Sequence, residues 1–458
     1  MGEELETTLQ NDEETECLIN VAVMFFTDMM EIFRSETSND KSASQSPSMP
    51  QNSQPKYTEK ELRAKELQLL ARYNFSNPSA MNYTALVQEL GLAKIFSPHF
   101  QRASSESSQD SILPPWCTYD EEHPWNQTGP SFERSPYNTG ILYNKMPKAA
   151  SSTLSGIVMR IAHNLAKRVG GEHPCTSFQY HIEREGNVQR LFGDRNVQKS
   201  FLFSSVRDPA AQAMSHIFFR HISRRKSIPS DKNMMLYLMD TDHQSGVVSN
   251  GVGGFQIAYL TFEKLKRFFA WTRFEPTKVL QPIRVHQVVE KIMEQYDFFM
   301  LVERFDESLV ALQLLLGLET SDMLYLSSKA AGGSYSYRKG KGCFFLRKPH
   351  ASDGVADYLA SDEWYAKQYG DYVLVEVVKQ SLDLTIEYLG QSRFDQALKE
   401  FRAMKRDGEG ECADKAKFPC SDDGVEQLEA AEESCYSTDW GCGYACLDSL
   451  SSDDIPAT

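Results

Sequence analysis

Short continuous apolar runs alternate, in the middle of this chain, with longer stretches whose apolar residues recur at helical spacing. A continuous apolar run bounded by turn residues is typical of a buried strand, whereas a 3.6-residue period is typical of a helix. Three strand-and-helix pairs are predicted, over residues 140–143 and 153–168, 201–206 and 210–223, and 298–303 and 307–316. Further helices are predicted over residues 261–271, 284–295, 361–369 and 372–390.

This repeated strand-and-helix order predicts an α/β fold, in which helices cover both faces of a parallel sheet. Crossovers between parallel strands are right-handed, so the loops after the first two strands should reach the same edge of the sheet. Composition changes outside this region: residues 41–55 are polar, and the C-terminal stretch is acidic and rich in cysteine. We therefore expect a single main domain, residues 136–405, with irregular tails. The N-terminal side is expected to consist of a largely disordered segment 1–55, with a helix at 17–33, and an extension 56–135. The C-terminal tail is expected over residues 406–458.

The charge of the chain is unevenly distributed. The net charge is -15, yet residues 140–405 carry 35 Lys and Arg against 28 Asp and Glu, a net charge of +7. A mildly basic domain between acidic flanks suits a protein that uses an anionic ligand.

The loop after the first predicted strand combines two cations with hydroxyl groups. Lys145 and Lys148 precede Ser151, Ser152 and Thr153, which open the next predicted helix. A helix N-terminus offers backbone N–H groups and a positive dipole end, so this segment predicts a phosphate site, with an ordinary helix cap as the alternative. The triphosphate motif GxxxxGK[ST] is absent, because no glycine lies between Lys145 and Thr153.

The second predicted strand ends in a different anion-binding pattern. Arg207, Asp208 and Pro209 follow it directly, and Ser215 lies two turns into the next predicted helix. Proline suits the first turn of a helix, and a guanidinium suits a terminal phosphate. Because ligands collect outside the carboxyl ends of parallel strands, both loops are expected to serve one ligand.

The pairing of PKAASST with RDP and a serine eight residues after the arginine resembles the cofactor motifs of sulfotransferases that use 3'-phosphoadenosine-5'-phosphosulfate. The string YNKMPKAASST is similar to Golgi heparan sulfate 2-O-sulfotransferases, and LVERFDESLVALQLLLGL (301–318) is similar to galactose 3-O-sulfotransferases. The basic stretch SYRKGKGCFFLRK (336–348) resembles the loop that closes over the cofactor in this superfamily. The chain thus resembles Golgi-type carbohydrate sulfotransferases over residues 140–389, which implies their P-loop-like fold for the catalytic domain.

The resemblance implies a role for each motif. The 3'-phosphate would be held by Arg207 and Ser215. The 5'-phosphosulfate would be held by the first loop, and the closing loop would add further contacts. The residues concerned are Lys145, Lys148, Ala149, Ala150, Ser151, Ser152 and Thr153 in the first loop, and Arg338, Lys339, Gly340 and Lys341 in the closing loop.

The expected reaction moves a sulfuryl group to a hydroxyl of a glycan, with Lys148 stabilising the leaving phosphate. The resemblance points to His181 as the base, and Glu183 and His173 are the alternatives. No metal and no nucleic acid are expected as partners. A basic ridge after Ser215 could border the acceptor, or could be an ordinary solvated face; it carries His216, Arg220 and Arg224.

Two other functions fit the same pattern. A nucleotide-dependent phosphotransferase on a related scaffold would need a magnesium-binding carboxylate after a strand, for which Glu303 and Asp306 are candidates. A non-catalytic glycan-binding descendant would bind without turnover, and the intact Lys148, Arg207 and Ser215 argue against it.

Cysteine usage predicts an oxidising compartment. Five of the nine cysteines lie between Cys412 and Cys446, in a stretch too short and polar to bury a core, so disulfides are expected there and metal knuckles are the alternative. Glycosylation acceptors at Asn74, Asn82 and Asn126 agree with the Golgi lumen that the resemblance implies. No clear signal or transmembrane segment is recognised, because acidic residues interrupt 17–33; any membrane association is expected through this N-terminal segment.

Overall fold

The chain divides into two units, Met1–Glu59 and Lys60–Thr458, and everything described below belongs to the second. The computed structural model describes residues 68–69, 72–73, 75, 77–98, 140–168, 177–180, 187–239, 254–261, 282–326, 334–335, 342–413, 420, 425, 446–447 and 449–450.

A four-stranded parallel sheet forms the centre of this unit. Its strands are β1 (Gly140–Asn144), β2 (Ser177–Tyr180), β3 (Ser200–Val206) and β4 (Phe298–Leu301), in the order β2-β1-β3-β4. Every residue of β1, β3 and β4 is buried. Because side chains alternate between the faces of a strand, both faces are covered in this part of the sheet. The prediction of an α/β fold with a parallel sheet is confirmed at this level.

The strand order places a topological switch point between β1 and β3. From β1 the chain passes to β2, which lies on one side of β1. From β3, on the other side of β1, the chain passes to β4, which lies farther away from β1. The connections therefore leave the carboxyl ends of β1 and β3 in opposite directions. Such a switch point is the usual ligand site of an open α/β sheet.

Helices make up most of the remaining described structure. They are α1 (Tyr83–Leu90), α2 (Ser151–Arg168), α3 (Asn187–Phe192), α4 (Pro209–Ile217), α5 (Asp231–Met239), α6 (Phe255–Leu260), α7 (Pro282–Gln295), α8 (Phe305–Leu316), α9 (Thr320–Met323), α10 (Asp353–Leu359), α11 (Asp362–Lys367), α12 (Tyr369–Leu389) and α13 (Gln391–Cys412). A small antiparallel pair joins β5 (Ser334–Tyr335) to β6 (Phe344–Phe345).

In two predicted elements, the C-terminal part has a different secondary structure from the one predicted. The helix predicted over 210–223 is α4 followed by a π-helical segment, Phe218–Arg224. The strand predicted over 298–303 ends with β4 and continues as a 3-10 turn, Val302–Arg304, that leads into α8. Of the helix predicted over 261–271, only Thr261 is described, and it follows α6. The boundary predicted between residues 405 and 406 falls inside α13.

Two disulfides tie the C-terminal part of the chain to the domain. Cys412 pairs with Cys446, within the cysteine-rich stretch where disulfides were predicted. Cys420 pairs with Cys343, 77 residues away, within the stretch that resembles the closing loop. Across the described helices, none is long and apolar enough to cross a membrane.

Candidate functional site

The loop between β1 and α2 has an unusual backbone. Lys148 and Ala150 adopt left-handed conformations, with φ of 62° and 56°. This region is costly for residues with a Cβ, and it persists where the surroundings hold the backbone in place. Backbone strain of this kind concentrates at ligand sites.

Three successive carbonyl groups of this loop are held by side chains from β3, from α4 and from the short loop between them. The Pro147 carbonyl accepts from Gln212 Nε2 at 2.8 Å. The Lys148 carbonyl accepts from Arg207 Nη1 at 3.1 Å, and the Ala149 carbonyl accepts from Ser205 Oγ at 2.8 Å. The loop is therefore shaped by the neighbouring strand and helix, and the Lys148 and Arg207 loops meet as predicted.

Lys148 and Arg207 lie close enough for their charges to interact where these loops meet, and Lys145 is buried in the first of the two loops. Burial lowers the pKa of Lys145 to about 8, and burial together with the positive charge of Arg207 lowers the pKa of Lys148 to about 8. Burial also lowers the pKa of Arg207, against the opposing effect of Glu303 and Asp208. Partly desolvated like charges raise the free energy of the ligand-free protein, and a bound anion would lower it.

An aromatic ring lines the site beside Lys148. The Nζ atom of Lys148 lies 4.1 Å from the centre of the Phe219 ring, in the π-helical segment after α4. A cation over a ring face is attracted to it, and the ring excludes water from one side of the ammonium group. Phe219 thus favours a charged lysine in a partly dry environment.

Arg207 is held by a buried network that starts at α12. Both backbone groups of Arg207 pair with the side chain of Gln256: its N–H donates to Oε1 at 3.0 Å, and its carbonyl accepts from Nε2 at 2.7 Å. The carboxylate of the buried Asp371 accepts from the backbone N–H of Gln256 and of Ile257, each at 2.9 Å. Burial raises the pKa of Asp371 to about 7. A Cβ at Gly254, where φ is 150°, would lie 2.2 Å from the Asp371 carboxylate, so this approach requires glycine.

The rest of the RDP segment caps α4. The Asp208 side chain accepts from the Ala211 N–H at 2.8 Å, and Pro209 is the first residue of the helix, as its position in the sequence predicted. The Asp208 N–H donates to Glu303 Oε1 at 2.9 Å. The pKa of Glu303 is raised by burial. Aspartate is among the preferred N-cap residues, so it orients the start of this helix.

His216, which the sequence placed on a basic ridge that could border the acceptor or be an ordinary solvated face, lies at this site. Burial lowers its pKa to about 3, and the nearby charges of Arg220 and Lys148 add to the effect. Its ring meets that of Phe255 edge-on, with 6.3 Å between centres. A neutral imidazole near Lys148 is therefore present at neutral pH. The sequence signal was its place directly after Ser215.

The predicted site residues divide into two groups. The first loop and Arg207 come together, with Ser151 and Thr153 buried and Ala149 in the core. Ser215 is half-exposed in the last turn of α4, beside His216. Outside the described residues lie His181, Glu183 and His173, and also Arg338, Lys339, Gly340 and Lys341.

The carboxylates considered for magnesium have other partners. Glu303 accepts the Asp208 N–H, while Asp306 accepts from the Tyr325 hydroxyl at 2.8 Å and from Lys405 Nζ at 3.3 Å. Within the described ranges, no three His, Cys, Asp or Glu side chains are grouped closely enough to hold a metal ion.

Comparison with protein-family models finds no match to this chain, and no curated protein or solved structure matches it either. The fold and site define the class of molecule: a mixed α/β protein with a parallel sheet and a cationic site at its switch point.

Proposed function

We propose that this protein is a carbohydrate O-sulfotransferase of the sulfotransferase fold, which transfers a sulfuryl group from 3'-phosphoadenosine-5'-phosphosulfate to a glycan hydroxyl. The observation that carries the proposal is the hydrogen bond of 3.1 Å from Arg207 Nη1 to the Lys148 carbonyl. It joins two cationic loops that leave adjacent strands at the switch point. A ligand with anionic groups at two positions suits such a pair, and this donor carries a 5'-phosphosulfate and a 3'-phosphate.

The shape of the first loop favours this donor over a nucleoside triphosphate. A triphosphate loop wraps successive phosphates with glycine-rich backbone. Here, the left-handed positions are Lys148 and Ala150, and the carbonyls around them are fixed by Gln212, Arg207 and Ser205. The loop thus offers its lysines and one helix start to a single phosphosulfate, while Arg207 and Ser215 would take the 3'-phosphate.

The chemistry requires an in-line displacement at sulfur. A bond forms from the acceptor oxygen to sulfur, the bond from sulfur to the bridging oxygen breaks, and its electron pair stays on the departing phosphate. Lys148 would stabilise that oxygen, because a partly desolvated cation placed in advance lowers the barrier most where charge develops. Lys145 would add to the positive potential.

The acceptor proton needs a base. His181 keeps the role that the resemblance gives it. His216 is a second candidate, since its imidazole is neutral and near Lys148. The negative charge of a bound donor would raise the pKa of His216 from about 3 toward the working range of a base.

A phosphotransferase stays the alternative, and it receives less support. It would need Glu303 or Asp306 to hold magnesium, and both carboxylates accept hydrogen bonds from protein groups. The disulfides Cys343–Cys420 and Cys412–Cys446 support an oxidising location, for which we propose the Golgi lumen.

The test is incubation with a donor labelled in its sulfuryl group and a panel of galactose-terminated lipids, glycosaminoglycans and algal-type polysaccharides that can accept a sulfuryl group. Label should pass to a glycan, and Lys148→Ala should abolish the transfer. Lys379→Ala, which removes an exposed lysine from α12, is the matched control and should retain it. Donor binding without transfer to any acceptor would favour the non-catalytic descendant, and label transfer from the γ-phosphate of ATP would favour the phosphotransferase.

A further inference from the structure

Two stretches of the chain carry basic residues and no acidic ones. Residues 209–230 and residues 323–352 contain no Asp or Glu, although the chain as a whole has a net charge of -15. The exposed cations that the structure describes in these stretches form what we call the basic face: Arg220, Arg224, Arg225, Lys226, Arg347 and Lys348.

The fold brings the two stretches together. The Arg347 N–H donates to Ser223 Oγ at 3.0 Å, which places the second stretch against the π-helical segment. The rings of Phe219 and Phe344 are 6.2 Å apart, and those of Phe218 and His350 are 5.1 Å apart. The two stretches that carry the six exposed cations are therefore packed on each other.

This surface adjoins the proposed sulfuryl site. Phe219, whose ring lies 4.1 Å from Lys148 Nζ, also contacts Phe344 of β6. Arg347 and Lys348 follow β6 within a few residues, so a ligand that lies along them reaches the neighbourhood of Lys148. Phe345 is 52% exposed on this surface and offers an apolar ring beside the cations.

We infer that the basic face binds the acceptor, and that the acceptor is a polyanionic glycan bearing carboxylate or sulfate groups rather than a neutral galactose-terminated chain. This inference rests on the proposed function, which places a glycan hydroxyl beside Lys148. The acidic excess of the chain lies outside residues 140–405, so a polyanion is attracted to this domain, and the cations of the basic face orient it there. An exposed aromatic ring among cations suits sugar rings that alternate with charged groups.

The direct test is chromatography on an immobilised uronic-acid glycan with a sodium chloride gradient. The double variant Arg347→Ser with Lys348→Ser should elute at lower salt than the unmodified protein, and its binding should show a salt slope smaller by about two. Arg393→Ser with Lys399→Ser is the control, because it removes the same charge from exposed positions of α13. Equal elution of the two double variants would overturn the inference, as would retention on immobilised DNA but not on the glycan.

A second variant guards against misfolding. Lys226 has φ of 57°, a conformation that glycine adopts without strain, so Lys226→Gly removes a charge of the basic face while leaving the backbone relaxed. It should also elute earlier than the control. If neither basic-face variant elutes early while both unfold at the same temperature as the parent, the inference is wrong.

Kinetics separate this inference from the proposed function. With a desulfated heparan acceptor, the Arg347 and Lys348 double variant should raise KM by about tenfold at low salt and leave kcat nearly unchanged. Affinity for 3'-phosphoadenosine-5'-phosphate should change by less than about twofold, since within the closing-loop stretch the donor contacts are assigned to residues 338–341 and not to Arg347 or Lys348. Faster sulfation of neutral galactosides than of the anionic glycan would contradict the inference while supporting the proposed function. Failure to bind the nucleotide at all would contradict the proposed function, and the chromatography would still decide whether the face binds acidic glycans.

Discussion

Affinity for the donor should fall as pH rises through 8, because two lysines of the site have lowered pKa values. Lys145 and Lys148 each have a pKa of about 8, against an ordinary value of 10.5, and burial is the main cause for both. A bound anion favours the charged form of a lysine, so the complex should hold both ammonium groups protonated to higher pH than the ligand-free protein does. The contribution of the two lysines to donor affinity is then fully present below pH 8 and is lost as the pH rises above 8.

The size of the effect follows from these values. If binding returns a lysine to its ordinary pKa, its contribution to Kd changes by about tenfold between pH 7 and pH 9. Both lysines together would weaken binding by about a hundredfold over this range. A site with ordinary lysines would show almost no change, since these stay charged to about pH 10.

The assay is isothermal titration with 3'-phosphoadenosine-5'-phosphate, the unreactive product of the proposed reaction, from pH 7 to pH 9. Its phosphates are fully ionised over most of this range, because their second pKa is about 6. Lys148→Met should bind more weakly at pH 7 and should retain only about a tenfold change, from Lys145 alone. Lys379→Met, which removes an exposed lysine of α12, should keep the parent profile. A Kd that varies by less than about twofold between pH 7 and pH 9 in the parent protein would refute the reasoning.

Four further outcomes follow from the same structure. Arg207→Ala should weaken nucleotide binding by about tenfold to a hundredfold, and an unchanged Kd would remove the 3'-phosphate site from Arg207. Gly254→Ala should lower the free energy of unfolding by about 3 kcal/mol or more, since its Cβ would meet the Asp371 carboxylate at 2.2 Å. Gly410→Ala in α13 should instead raise the free energy of unfolding by about 1 kcal/mol, because nothing lies within 4 Å of the added Cβ. Thermal melts of the two variants compare these effects. Cys412→Ser should cost about 4 kcal/mol by opening a loop of 34 residues, and an unchanged melting temperature would show that this disulfide contributes little. Lys148→Gly should melt at a higher temperature than the parent, because it removes a desolvated charge and relieves the backbone strain of φ at 62°. Its nucleotide affinity should fall, because the same charge is lost from the site. A lower melting temperature would contradict this reasoning.

The parallel sheet could be predicted because its strands are short, apolar and buried on both faces. Such runs stand out in the sequence, as the 201–206 stretch does, and their carboxyl ends must meet at one edge. β2 was not predicted, because SFQY mixes polar and apolar residues and has no apolar run. The π-helical segment was also missed, since its widened turn keeps apolar residues close to helical spacing.

The shape of the site could not be predicted from the sequence. Left-handed backbone is expected at glycine, whereas here Lys148 and Ala150 adopt it without any local signal. The conformation depends on Ser205 and Gln212, which lie more than fifty residues along the chain and become neighbours only in the folded sheet. The pairing of Cys343 with Cys420 is equally a product of the tertiary fold.

The strain and the buried charge at this site have a common physical consequence. Lys148 is held in a costly conformation, next to Arg207, by hydrogen bonds between protein groups. Gln256 and Asp371 hold Arg207 from the opposite side through groups that are themselves buried. Because these cations are already assembled in the folded protein, the binding of an anion requires little reorganisation of the site. The binding free energy of the donor can therefore appear as charge stabilisation at Lys148, which is where sulfuryl transfer would need it.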